Sequence, residues 1–116
     1  MSELQRAKIA YKQIYEKGNL PEDYTTRVKQ MPMMIQTNGL AQTVTFYNTK
    51  KGAHARVLAD IYEYLLEEKI INNNNGNDLV EVVVKADSNL YRILTSEIMA
   101  YLQWMKRLSE GKTGGD

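Results

Sequence analysis

Apolar residues recur three and four positions apart along most of this chain, which is the spacing of one helix face and not the alternation of a strand. Ser2 with Gln5 three residues later forms a capping box, and Leu4, Ala7, Tyr11, Ile14 and Tyr15 continue the pattern until Gly18-Asn19 breaks it. The first helix is therefore predicted over residues 2–17. Leu20-Pro21-Glu22-Asp23 joins a proline suited to a first turn with carboxylates that complement the positive end of a helix. A second helix follows to about residue 36, burying Tyr24, Val28, Met31 and Ile35. Pro32 lies inside it, removing one backbone donor and crowding the preceding turn, and predicts a kink or a restart.

The stretch 31–51, MPMMIQTNGLAQTVTFYNTKK, organises the remainder. Its apolar run is broken once, at Gln36-Thr37-Asn38-Gly39, where Asn38 and Gly39 suit a helix-to-helix junction; Leu40, Val44 and Tyr47 then repeat at helical spacing. A short helix over 38–48, apolar on most sides, belongs at the centre of a bundle. After a basic connection at 48–52, Val57, Leu58, Ile61, Tyr64 and Leu65 define a fourth helix over 53–70. Residues 72–78, NNNNGND, predict a mobile surface loop.

Leu79-Val80-Glu81-Val82-Val83-Val84 has the β-propensity of a strand, yet a lone strand has nothing to pair with in a helical chain. A short helix over 77–85 is predicted instead. Asp87 or Ser88 caps the longest helix, with Leu90, Leu94, Ile98, Tyr101, Met105 and Leu108 as its seam and Gly111 as its stop. The fold class is all-α: one domain over residues 1–110, a compact bundle of five to six helices, with a flexible tail over 111–116.

Composition adds limits to this picture. A chain of 116 residues suits one domain burying roughly two-thirds of its unfolded surface. No apolar run approaches the ~20 residues of a membrane span, and the N-terminus has no signal-peptide core, so a cytoplasmic location is expected. The absence of cysteine excludes disulfides, thiolate metal sites and a cysteine nucleophile. With 15 Lys and Arg against 14 Asp and Glu, the net charge of +1 does not mark a free-standing nucleic-acid binder.

Candidate chemistry is sparse. His54 is the single histidine, and in a helical bundle it raises a phosphotransfer role; that chemistry wants lysine and glycine shortly after the histidine, whereas Lys50, Lys51 and Gly52 precede it. Asp60, Glu63, Glu67 and Glu68 read as a solvated face of the fourth helix. Neither a phosphate-binding glycine loop nor a Gly-x-Ser-x-Gly elbow occurs, so no enzyme, catalytic residue, metal or cofactor is expected. The eight tyrosines and Trp104 read as core or interface, with Tyr11, Tyr47, Tyr64 and Tyr101 at core spacing. The basic residues Arg6, Lys12, Arg27, Lys50, Lys51, Arg56, Lys106 and Arg107 are candidates for phosphate contacts, the arginines above all because their planar fork holds phosphate oxygens in pairs.

Two blocks carry a family resemblance. The apolar-Pro-x-apolar-Ile segment, then Thr37-Asn38-Gly39-Leu40 and a short apolar helix with Phe46 and Lys50, resembles the small subunit of the type III-B CRISPR effector, the Cmr RNA-silencing complex. Lys85-Ala86-Asp87-Ser88, Tyr91 and Tyr101-Leu102-Gln103-Trp104-Met105-Lys106-Arg107 resemble the last helix of the same family. The resemblance implies a non-catalytic subunit that stacks along the effector, touching other Cmr subunits and neighbouring copies of itself. It also implies that the eight cations form part of a shared groove for guide-target RNA. A helical adaptor that docks proteins without touching RNA is the alternative.

Overall fold

A computed structural model describes residues 3–113, and among these residues helix follows helix with no strand. The elements are α1 (Glu3–Tyr15), α2 (Tyr24–Asn38), α3 (Leu40–Asn48), α4 (Ala53–Glu67), a 3-10 turn (Asn73–Asn75), α5 (Leu79–Lys85) and α6 (Ser88–Thr113). The expected all-α bundle is thus borne out, with six α-helices among the described residues. The Ser2 capping box lies outside them, as do residues 114–116.

α6 is the spine. Its 26 residues rise about 1.5 Å each, which accounts for the 39 Å long axis of the molecule. Leu94, Ile98, Tyr101, Leu102 and Met105 line its buried seam, with α1 and α2 packed along it. α2 also meets α3 and α4, and α3 is closed from the other side by α5. Each fully buried Leu or Ile in this core contributes roughly 1.5–3 kcal/mol. α6 does not stop at Gly111, contrary to expectation: Lys112 Nζ donates to the carbonyls of Ile14 and Gly18, both at 2.7 Å. The Thr113 hydroxyl caps back onto Ser109 O at 3.0 Å. These anchors to the end of α1 hold the last turn in helix.

Gly39 ends one helix and starts the next. Its N–H donates to Ile35 O at 2.8 Å, while its own carbonyl accepts from the N–H and hydroxyl of Thr43 at 3.2 and 2.8 Å. A φ of 86° makes glycine the residue for this position. The hydroxyl of Tyr91, from α6, accepts from Ala41 N–H at 2.9 Å and so caps α3 from outside. Pro32 does not force a restart: α2 is continuous through it, with Met31 and Ile35 on either side buried. The helix begins later than expected because residues 21–23 form a turn closed by Tyr24 N–H onto Pro21 O.

Three further expectations are corrected. Of the expected face of α1, Ile14 is buried but Leu4, Tyr11 and Tyr15 are exposed, at 62%, 48% and 37%, and Ile9, Ala10 and Gln13 are buried in their place. The helix is rotated so that Gln13 reaches polar groups in the core. α4 ends at Glu67 because Lys69 adopts φ 59° and Ile70 N–H returns to Leu65 O at 3.0 Å. The asparagine-rich segment is a folded turn: Asn72 Oδ1 accepts from Asn74 N–H, Asn75 Oδ1 accepts from Asn72 N–H, and the Tyr62 hydroxyl donates to Gly76 O, all at 2.8 Å.

The valine run 82–84 is helical, as expected. Asp78 accepts from Glu81 N–H at 2.9 Å, Glu81 in turn accepts from Asn77 N–H at 2.7 Å, and Lys85 closes on Glu81. Local capping together with burial of Leu79, Val82 and Val83 against α3 and α4 outweighs the β-preference of valine.

Candidate nucleic-acid interface

The eight candidate cations fall into distinct environments. Arg6 and Arg56 are structural. Arg6 Nε donates to the Tyr64 hydroxyl at 3.1 Å and Nη2 to Glu97 Oε1 at 3.2 Å, with only 18% of the side chain exposed. Arg56 Nε lies 3.0 and 3.2 Å from the two oxygens of Asp60, and Nη2 donates to Gln13 O at 2.7 Å. Its guanidinium also sits over the ring of Tyr24, 5.6 Å from the centroid.

Asp60 is accordingly buried and not part of a solvated face. Its carboxylate accepts from Tyr24 Oη at 2.7 Å, while Gln13 Nε2 donates to its backbone carbonyl at 2.8 Å. Burial raises the Asp60 pKa, opposed by the Tyr24 hydrogen bond and the Arg56 charge. Position 60 lies three residues after Val57 and four before Tyr64, which places it on the apolar arc; that spacing was the available signal.

Lys12 pairs with Glu67 at 3.6 Å on the surface. Lys106 and Arg107 are exposed on α6 without an ion pair among the described residues, Arg107 sharing a shallow depression with Glu3, Gln103 and Trp104. Two of the remaining three converge. Arg27 from α2 and Lys50 from the α3–α4 connection both act on His54 at the start of α4, and Lys51 follows Lys50 in the same connection. The imidazole packs edge-on to Phe46 and Tyr47, centroids 6.0 and 4.7 Å apart, and Lys50 Nζ lies 5.3 Å from the centre of the Phe46 ring. Tyr47 locks the group by donating to Arg27 O at 2.6 Å. The His54 pKa is lowered by burial and then by the charges of Arg27 and Lys50, so the local field is positive.

No carboxylate occurs between Asp23 and Asp60. That span carries Arg27, Lys29, Lys50, Lys51 and Arg56, leaving ten cations against fourteen carboxylates in the rest of the chain. The neutral overall balance conceals this asymmetry, and a windowed count would have found it. Arg27 also reaches Gln30 at 2.8 Å and Asp23 at 3.9 Å, and Lys29 pairs with Glu110, whereas Lys51 has no ion pair among the described residues. Phe46, 43% exposed in the middle of this face, was read from sequence only as a family marker. Among the described residues no group of acidic and histidine side chains forms a metal cage, and no helix is long and apolar enough to cross a membrane.

The profile of a family described as CRISPR-associated protein (Cas_Cmr5) matches residues 2–112. This chain belongs to the Cas_Cmr5 family. It is 25% identical over 107 residues to the CRISPR system Cmr subunit Cmr5 of Thermus thermophilus, an alignment covering 90% of this chain and 89% of that one. It also superposes on the crystal structure of a CRISPR-associated Cmr5 family protein from Thermus thermophilus, with a TM-score of 0.77 at 25% identity over 96% and 97% of the two chains. The resemblance carried by residues 31–51 and 85–107 is therefore borne out, and the match extends across the asparagine-rich turn and α5 that separate them. Membership of the Cas_Cmr5 family places the chain among the small subunits of Cmr complexes.

Proposed function

We propose that this chain is a non-catalytic structural subunit of a cytoplasmic type III-B CRISPR ribonucleoprotein, stacking along the effector beside copies of itself and helping to hold guide-target RNA through phosphate contacts. The observation that carries the reading is the carboxylate-free span of α2, α3 and the start of α4, which holds Arg27, Lys50, Lys51 and His54 and in which Arg27 and Lys50 both act on His54. A handful of cations gives weak RNA affinity alone. Repeated along stacked copies and joined to partner surfaces, the same face becomes part of a continuous groove. The exposed apolar residues Leu4, Tyr11 and Tyr15 on α1 and Met33 on α2 supply surface for the protein neighbours that such stacking requires.

Charge reversal tests the reading. Effector reconstituted with Lys50→Glu/Lys51→Glu is expected to assemble normally and to retain target RNA less well. Equal retention by the variant and wild-type assemblies would support the adaptor without RNA contact.

A further inference from the structure

α3 has nine residues and two faces. Leu40, Thr43, Val44 and Tyr47 point into the core, while Ala41, Gln42, Thr45, Phe46 and Thr49 line a shallow depression on the outside. We propose that this outer face stacks one unpaired nucleobase on the ring of Phe46, with Arg27, Lys50 and Lys51 receiving the flanking phosphates. The proposal rests on the RNA-holding reading above and specifies what part of the RNA this face takes.

An exposed phenylalanine is by itself unremarkable. Here its ring is held edge-on by His54 and by Tyr47, centroids 6.0 and 6.2 Å away, so little side-chain freedom remains to be lost on binding. The ring lies within a positive field, with Lys50 Nζ 5.3 Å from its centre. A ligand that suits both features has a flat π-face joined to anionic groups a few ångströms away, which describes a nucleotide in a single strand. A base inside a duplex is covered by its neighbours, so the ligand is single-stranded or splayed out. The side chain of Gln42, one turn before Phe46, is exposed and makes no hydrogen bond among the described residues, which leaves its amide available for a base edge. A purely protein partner would gain little from a rim of Gln42, Thr45 and Thr49 around a single ring.

Phe46 is the only phenylalanine, so full-length protein labelled with 4-fluorophenylalanine carries one fluorine reporter at the site. Titration with oligoadenylate at low salt is expected to shift that resonance through the ring current of the stacked base, while inorganic polyphosphate of matched charge leaves it in place. Equal shifts from both overturn the proposal, because contact is then with phosphate alone. In the assembled effector, Phe46→Leu is expected to weaken binding of single-stranded RNA about tenfold with its salt dependence unchanged. Unchanged affinity in that variant, where Lys50→Glu/Lys51→Glu still weakens binding, overturns the stacking site and leaves the phosphate reading intact. RNA binding that is indifferent to both variants removes the two together.

Discussion

Arg56 and Asp60, one turn apart on α4, form an ion pair at the edge of the core: Nε lies 3.0 Å from Oδ2, the aspartate side chain is 2% exposed and the arginine 21%. The pair ties three helices together, because Asp60 also accepts from Tyr24 on α2 and Arg56 donates to Gln13 O on α1. Gln13 extends the network by accepting from the hydroxyl of Tyr101 on α6. Such a network fixes the register of helices whose apolar faces alone would tolerate several packings.

Removing Asp60 takes the acceptor from the buried Tyr24 hydroxyl and from Arg56 Nε, while Arg56 keeps its bond to Gln13 O. Asp60→Ala is expected to destabilise the protein by about 3–5 kcal/mol in urea unfolding. A loss below about 1 kcal/mol would mean that water reaches the site and the network is not structural.

Tyr24, Tyr47, Tyr64 and Tyr101 are all held above the ordinary tyrosine pKa of 10.0, first by burial; Tyr47 is pushed up to about 12. In the unfolded chain these hydroxyls ionise near pH 10, whereas in the folded chain they keep their protons, so the fold binds more protons in this range. The stability they contribute is complete below pH 10 and is lost as pH rises, for Tyr47 through about 12. Absorbance at 295 nm followed alongside circular dichroism is expected to show these tyrosines ionising only as the helices melt. Ionisation of all eight tyrosines with the helical signal intact contradicts this.

Lys69 occupies the left-handed position that closes α4, with its own N–H on Leu66 O and the next on Leu65 O, both at 3.0 Å. Glycine is the residue that this C-terminal geometry favours. Lys69→Gly is expected to stabilise the protein by about 0.5–1 kcal/mol, read as a higher melting temperature; a lower one would show that the lysine side chain contributes more than its backbone strain costs.

The candidate cations divide by role, and the division can be measured. Arg6→Ala removes donors from Tyr64 and Glu97 and is expected to cost about 1–3 kcal/mol of stability. Lys51→Ala removes no contact within the described residues and is expected to leave stability unchanged while weakening RNA retention by the effector. Reversed outcomes for the two residues would exchange their roles.

Helix identity was legible in sequence where local chemistry and packing agree. The break at Gly39 follows from one residue's backbone freedom, and α5 was recoverable from Asp78, Glu81 and the absence of a strand to pair with. The rotation of α1 was not legible, because Leu4, Tyr11 and Tyr15 satisfy helical spacing with Ile14 as well as Ile9 and Ala10 do. Only the partners of Gln13 on α4 and α6 decide between the two faces. Asp60 was misplaced although its spacing from Val57 and Tyr64 put it on the apolar arc, because a carboxylate stays buried only with partners, and Arg56 and Tyr24 meet it only in space. The fold of residues 72–78 depends on side-chain amides bonding to backbone, which composition does not report. At the candidate interface all eight cations were visible, but their roles were not, since a paired Arg6 and an unpaired Lys51 look alike in a sequence.

The slope of target-RNA affinity against salt, compared between effector assembled with wild-type subunit and with Lys50→Ala/Lys51→Ala, tests the RNA-holding role most directly. If these two lysines meet phosphates, the log–log slope falls in magnitude by about 1.4–1.8 for each copy that contacts the RNA. An identical slope in the two assemblies would contradict it and leave this subunit as a protein spacer.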